Sequence, residues 1–199
     1  MDKTQLIELL KKEKYKEEIV QAFANVKRED FLPDHLKPYA YENMALPIGE
    51  GSAVSQPTII ALILELLDVQ PNLRVLEIGS GSGYVLALLS ELTSSDIYGI
   101  EIKANMAAES KGRLAGKPHV HIINKSGYNG LPGKAPFDRI LVSAACTKIP
   151  KHLLSQLNDH GILVAPVKSD LIKITRSGEK YNEEAYRDKV QFVSMVEED

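Results

Sequence analysis

The chain is poor in cysteine, in net charge and in long apolar runs, and each shortage closes a class of function. Cys146 is the only cysteine among 199 residues, which excludes an intramolecular disulfide and a cysteine-rich zinc site and fits a reducing compartment. The formal charge of −3 and the isoelectric point near 6.0 supply no overall basic field, so binding of nucleic acid through its phosphates is not expected. The N-terminal stretch, with Lys11, Lys12, Glu13 and Lys14, lacks the apolar core of a signal peptide, and no later run is long enough to span a bilayer. A cytoplasmic protein with no membrane partner is expected. No large apolar stripe calls for a second copy, so a monomer is expected too.

What is present suffices for one core. With 44% hydrophobic and 26% charged residues, the chain can bury a single full core and has little left for another. We read residues 1–199 as one domain, with N-terminal helices and a covering loop over 1–57 and a doubly wound core over 58–199. Leu6, Leu9, Leu10, Ile19, Val20, Phe23 and Val26 recur at helical spacing, the pattern of one or two amphipathic helices. From Phe31 to Pro57 that period disappears, and Pro33, Pro38, Pro47, Gly49, Gly51 and Pro57 mark a long ordered loop. A helix then runs from Pro57 to near Asp68.

Strands and helices alternate from there. Expected strands are Arg74–Gly79, Asp96–Glu101, Val120–Asn124, Phe137–Val142 and Gly161–Val167, with helices at Tyr84–Leu92, Ala104–Leu114 and Pro150–Leu157 between them. Strands joined through helices need crossover connections, so the fold class is α/β with a mostly parallel sheet. Leu171–Thr175 and Val190–Val196 have no helix between them and are expected as antiparallel edge strands.

The chemistry gathers where the first strand turns into its helix. Glu77-Ile78-Gly79-Ser80-Gly81-Ser82-Gly83-Tyr84 places three glycines at the carboxyl edge of a parallel sheet, where such sheets bind ligands. A tight turn that binds nothing would use the same glycines. The spacing Gly-x-Gly-x-Gly differs from the Gly-x-Gly-x-x-Gly that cradles a dinucleotide pyrophosphate, and Glu77 suits a cation. S-adenosylmethionine (AdoMet) has no phosphate and carries a sulfonium and an ammonium, so a Rossmann-like AdoMet-dependent methyltransferase fold is expected. Glu101, closing the second strand, is placed to accept from ribose hydroxyls. A solvated strand end is the plain alternative.

The segment Leu46-Pro-Ile-Gly-Glu-Gly-Ser-Ala-Val-Ser55-Gln56-Pro57, followed by a helix and Val75-Leu-Glu-Ile-Gly-Ser-Gly-Ser-Gly-Tyr84, resembles the protein-L-isoaspartate O-methyltransferase family. Further matches are Val26-Lys-Arg-Glu-Asp-Phe31, Ala135–Ala145, Ile149-Pro150 and Gly161–Val167, so the resemblance covers nearly the whole chain. It implies methyl transfer from AdoMet to the free carboxylate of an L-isoaspartyl residue in a damaged protein, with S-adenosyl-L-homocysteine as product. The ester re-closes to a succinimide whose hydrolysis returns some normal aspartate. The resemblance further implies Ser55 as the active-site hydroxyl, Ala53, Val54, Gln56, Pro166 and Val167 beside the substrate, and Glu77, Gly79, Ser80, Gly81, Gly83, Tyr84, Glu101, Ile102, Ser126 and Gly127 around the cofactor. No general base is required, because a carboxylate with pKa about 4 is already ionised at neutral pH. Read from the residues alone, Ser55 suits the cap of the helix that begins at Pro57 better than a catalytic role.

Three positions depart from the family pattern. Ser126 stands where an aspartate usually precedes Gly127, Ala53 replaces a hydroxyl residue, and Lys168 replaces the glycine after Pro166-Val167. These leave open a relative with another acceptor, or a weakly active or non-catalytic AdoMet-binding protein. An NAD-dependent oxidoreductase is disfavoured by the loop spacing. His119 and His121 lie two apart on a strand with no third ligand nearby, so no metal is expected. His152 and His160 read as solvated caps, Cys146 as a core-edge residue, and Glu197-Glu198-Asp199 as a frayed tail.

Overall fold

A computed structural model describes residues 1–186 and residue 192. Helices α1 (Lys3–Lys12) and α2 (Glu17–Asn25) lead the chain. Asp2 starts α1 with a capping box, its side chain accepting from the Gln5 N–H while Gln5 answers the Asp2 N–H. Leu6, Leu10, Ile19, Val20 and Phe23 turn inward from these two helices. The stretch expected to be a loop holds more order than its prolines suggest. Two 3-10 turns, Arg28–Phe31 and Asp34–Tyr39, precede an antiparallel hairpin of β1 (Leu46–Gly49) and β2 (Ser52–Val54).

Helix α3 (Pro57–Leu67) is apolar almost all round, because one side meets α2 and the other covers the sheet. It stops at Asp68, which takes a left-handed conformation with φ +47°. Arg139 holds that end, donating to the Asp68 carbonyl from Nε at 3.1 Å and Nη2 at 2.9 Å.

The core strands are β3 (Val75–Ile78), β4 (Ile97–Glu101), β5 (Val120–Asn124), β6 (Phe137–Val142), β7 (Leu157–Val167), β8 (Asp170–Ser177) and β9 (Lys180–Tyr186). Their spatial order is β5-β4-β3-β6-β7-β8-β9. The first five neighbours run parallel and the last two antiparallel. Helices α4 (Tyr84–Leu92) and α5 (Ala104–Arg113) make the crossovers next to the glycine turn. Every residue of β3 and β4 is buried, as strands covered on both faces must be.

Two boundaries correct the sequence reading. The helix expected over Pro150–Leu157 is the four-residue α6 (Lys151–Leu154), and Leu157 already begins β7. The second antiparallel edge strand is β9, whereas the strand expected at Val190–Val196 falls, apart from Phe192, outside the described residues, as does the acidic tail. Phe192 is half-buried and packs against the larger core. The parallel register aligns Ile78 with Ile100 and Val142, and Glu101 with Asn124. The carboxyl ends of β3 to β7 therefore share one edge, and Gly79, Glu101, Ile102, Pro166 and Val167 lie along it.

Candidate active site

The glycine turn is shaped by the backbone. Gly79 and Ser80 both donate to the Ile100 carbonyl, at 2.8 and 3.1 Å, which welds the turn to β4. Gly79, Gly81 and Gly83 have φ of +81°, +53° and +87°, a region that residues with a Cβ enter at a cost. Gly83 is needed twice, since a Cβ there would lie 2.3 Å from Ser110 Oγ.

Glu101 is 5% exposed, which rules out a solvated strand end. Its Oε2 accepts from the Gly81 N–H at 2.8 Å and its Oε1 from the Lys103 N–H at 2.9 Å, so its carboxylate is aimed at the turn. Glu77 is deeper, at 1% exposure. Ser143 Oγ donates to Glu77 Oε1 at 2.7 Å, while Glu77 Oε2 has no partner. Burial first, and the Glu101 charge second, push the Glu77 carboxyl up to about 8 against the opposing Ser143 hydrogen bond. Among the described residues neither carboxylate has an ion pair. Two buried acids without a cation, beside a glycine turn whose Gly79, Ser80, Gly81 and Gly83 N–H groups are already bonded within the protein, suit a ligand that brings its own positive charge.

The other cofactor candidates divide. Gly127 approaches β3 so closely that a Cβ would meet Ile78 Cγ2 at 2.4 Å. Ser126 Oγ accepts from the Tyr128 N–H at 3.3 Å and stays half-buried beside it. Ile102 is 43% exposed at the end of β4, an apolar face at the same edge. Tyr84 turns away: its ring packs on Phe23 and Phe31 with centroids 6.3 and 5.5 Å apart, beneath the turn. Ser80 is likewise buried, with its hydroxyl unpartnered.

The β1–β2 hairpin folds onto the glycine turn. A Cβ built on Gly81 would lie 3.4 Å from Ile48 Cδ1, and a cleft of about 210 Å³ lined by Phe31, Ile48, Ser82, Met106 and Arg113 remains beside it. Lys103 latches the tip, donating to the Glu50 carbonyl and, at 2.9 Å, to Ser52 Oγ. Ser55, half-buried, follows β2 directly, with Val54 buried and Ala53 exposed. Ser55 does not cap α3. Gln56 occupies the N-cap position, and the helix is capped from a distance by Asn43, whose Oδ1 accepts from the Thr58 N–H and Thr58 Oγ1, each at 3.1 Å. Gln56 Nε2 completes the group by donating to Thr58 Oγ1 at 2.9 Å.

Pro166 and Val167 end β7 on the shared edge. The Pro166 carbonyl accepts from Cys146 N–H at 3.0 Å, which accounts for the buried thiol as part of the core edge. Lys168 stands at φ +56°, a left-handed conformation that favours glycine, and only two residues link β7 to β8. His121 bonds Asp96 at 2.9 Å and stacks on Tyr98. His152 is not a free cap, since its Nε2 meets the Tyr128 carbonyl. Among the described residues no three His, Cys, Asp or Glu side chains gather to hold a metal. The residues that sequence reasoning did not assign are Asn43, Lys103, Ser143 and Arg28. Arg28 lies inside the quoted Val26–Phe31 match, but nothing in a lone arginine tells which carbonyls it will reach.

The family model for protein-L-isoaspartate(D-aspartate) O-methyltransferase matches residues 1–199. A protein-L-isoaspartate O-methyltransferase of Shewanella halifaxensis is 43% identical over 185 residues, covering 90% of this chain and 87% of that one. One from Aliivibrio salmonicida is 40% identical over 188 residues, covering 92% and 89%. Among solved structures, a protein-L-isoaspartate O-methyltransferase superposes with a TM-score of 0.90 at 24% identity, over 98% of this chain and 66% of that longer one. A Plasmodium falciparum protein described as a putative member, solved with S-adenosyl-L-homocysteine, superposes with a TM-score of 0.85 at 22% identity, over 98% and 99%. The chain belongs to the protein-L-isoaspartate(D-aspartate) O-methyltransferase family.

Proposed function

We propose that this enzyme, an AdoMet-dependent protein-L-isoaspartate O-methyltransferase acting in protein repair, holds its acceptor between the Ser55 segment and the end of β7. AdoMet supplies an electrophilic methyl group on a sulfonium and leaves as S-adenosyl-L-homocysteine. Glu101 holds the ribose hydroxyls, Glu77 complements the positive charge, and the Gly79–Gly83 turn, with Ile102, Ser126 and Gly127, lines the rest. Ser126, lacking a carboxylate's charge, makes a weaker acceptor than the aspartate it replaces.

Ser55 donates its hydroxyl hydrogen to one oxygen of the isoaspartyl carboxylate and so turns the other toward the methyl group. The backbone of Ala53 and Val54 receives the substrate chain on one side, and Pro166 and Val167 close the other. No proton has to leave the acceptor, so orientation and exclusion of water are what the protein contributes. The observation that carries this reading is the hairpin's seat on the glycine turn, with Ile48 against Gly81 and Lys103 latching its tip.

The test is a paired methylation assay with an isoaspartyl peptide and its aspartyl counterpart. Only the isoaspartyl peptide should be modified, and Ser55→Ala should lower kcat by about 10-fold or more, the effect of removing a hydrogen bond to a charged group. Full activity of Ser55→Ala would refute the hydroxyl's role. Equal use of both peptides would favour a relative with another acceptor, for which Ala53 and Lys168 are the sequence grounds. The remaining parts of the reading are a cytoplasmic monomer organised as one domain. The buried thiol of Cys146, the one cysteine of the sequence, supports a reducing setting, and a core cluster that runs from Leu6 through Leu171 supports a single unit. Sedimentation showing a dimer would overturn the monomer.

A further inference from the structure

Among the described residues Arg28 is the largest fully buried side chain, at 0% exposure, and no carboxylate there pairs with it. The neighbouring acid, Glu29, is taken by the Tyr41 hydroxyl. A buried guanidinium without a counter-charge is expensive, and burial accordingly lowers Arg28 to about 10. Its compensation is a set of four carbonyls. Nη1 donates to Ala40 O at 2.8 Å and Glu42 O at 3.2 Å, and Nη2 donates to Met44 O at 3.1 Å and Ser55 O at 3.0 Å. The guanidinium carbon also lies 5.9 Å from the centroid of the Tyr84 ring, at the first residue of α4 after the glycine turn.

These partners have one thing in common. Residues 40–44 form no regular element, so their carbonyls have no ladder to satisfy them, and a planar fork with five N–H donors is the side chain that can bind several at once. The same fork ends on the carbonyl of Ser55. It therefore joins the irregular loop, the acceptor segment and the foot of the cofactor turn at one rigid point. Asn43, in the middle of that loop, caps α3 three residues beyond Ser55, which ties the segment from its other side.

We propose that Arg28 is the positioning residue of the acceptor site, fixing the Ser55 backbone relative to the glycine turn and thereby the approach of the acceptor carboxylate to the methyl donor. This rests on the reading that the Ser55 segment is the acceptor wall. Arg28 touches no reacting atom. Its effect runs through the carbonyl of Ser55, not through the hydroxyl.

The experiment uses the whole enzyme with Arg28→Lys, which keeps the charge and cannot span four carbonyls. AdoMet affinity by calorimetry should stay within about threefold while kcat on the isoaspartyl peptide falls about 100-fold, the loss expected for an ångström of misplacement. Retained kcat overturns the proposal, as does a parallel loss of AdoMet affinity, which marks a merely structural role. Should Arg28→Lys fail to fold, the wild-type enzyme decides by NMR of the Arg28 Nη–H resonances. Four separate signals that move when isoaspartyl peptide joins the S-adenosyl-L-homocysteine complex support the proposal, and signals unmoved at saturating peptide overturn it. Loss of activity in Arg28→Lys together with an unaffected Ser55→Ala would discard the hydroxyl and keep the positioning. The reverse pair of results would keep the hydroxyl and discard the positioning.

Discussion

The edge proposed to hold the cofactor and the flap proposed to hold the acceptor lie against each other and are built by opposite means. At the edge, parallel strands place Gly79, Glu101 and Gly127 side by side, and the glycine turn hangs from β4 by main-chain bonds to Ile100. In the flap, side chains from elsewhere do the fastening: Arg28 from behind, Asn43 from the loop, Lys103 from the far side. A site hung on a sheet inherits the sheet's stability, whereas a site pinned by single side chains can be loosened one pin at a time. The donor half is thus expected to resist change and the acceptor half to be open to it. The three departures from the family pattern agree only in part, since Ala53 and Lys168 lie on the acceptor side and Ser126 on the donor side.

The comparison breaks first at Glu101, the side chain that accepts from the glycine turn and from the start of α5. Glu101→Ala removes both the proposed ribose acceptor and the partner of the Gly81 and Lys103 N–H groups. AdoMet Kd should rise by about 100-fold, about 2.8 kcal/mol, and an unchanged titration would show that the turn holds the cofactor without it. Next comes Gly83→Ala, which meets both a φ of +87° and a contact 2.3 Å from Ser110 Oγ. A loss of about 2–4 kcal/mol in denaturant stability is expected, because the edge has no slack to absorb a methyl group.

A pH profile sharpens the same contrast through Glu77. Its folded carboxyl sits near 8 against 4.5 for the free group, so the folded protein retains a proton that the unfolded chain has released. Stability without cofactor should therefore fall as pH climbs from about 4.5 to about 8 and level off above, since the folded state binds more protons across that window. AdoMet, by favouring the ionised form, should bind more tightly as pH rises through the same range. Glu77→Gln should flatten the thermal-melting slope, and a persisting slope would assign it to other groups. The smallest expected effect belongs to the flap. Asn43→Ala removes the distant cap of α3 and should cost about 1 kcal/mol, with faster amide exchange confined to the Ser55–Thr58 segment.

How much of this was legible depended on how locally each feature is specified. Helix Tyr84–Leu92 and strand Val120–Asn124 match their expected limits residue for residue, because period and punctuation coincide there. Leu46–Val54 read as loop because Pro47, Gly49 and Gly51 erase the strand alternation, yet the hairpin forms by pairing Leu46 with Val54. Strand β9 was missed for a different reason. Lys180–Tyr186 is polar and mostly exposed, so it carries no apolar signature, and only pairing with β8 makes it a strand. The more apolar Val190–Val196 drew the expectation instead.

From the linear chain alone came the alternation of strands and helices, the three glycines at a turn whose left-handed dihedrals glycine adopts at least cost, and the acids at two strand ends. These are short-range properties, set by sterics and hydrophobic period within a few residues. The tertiary structure decided that Tyr84 faces the core, that Asn43 rather than Ser55 caps α3, and that a buried arginine holds the Ser55 carbonyl. Each of those is a hydrogen bond or packing contact between positions far apart in sequence, whose partners exist only once the sheet has brought them together.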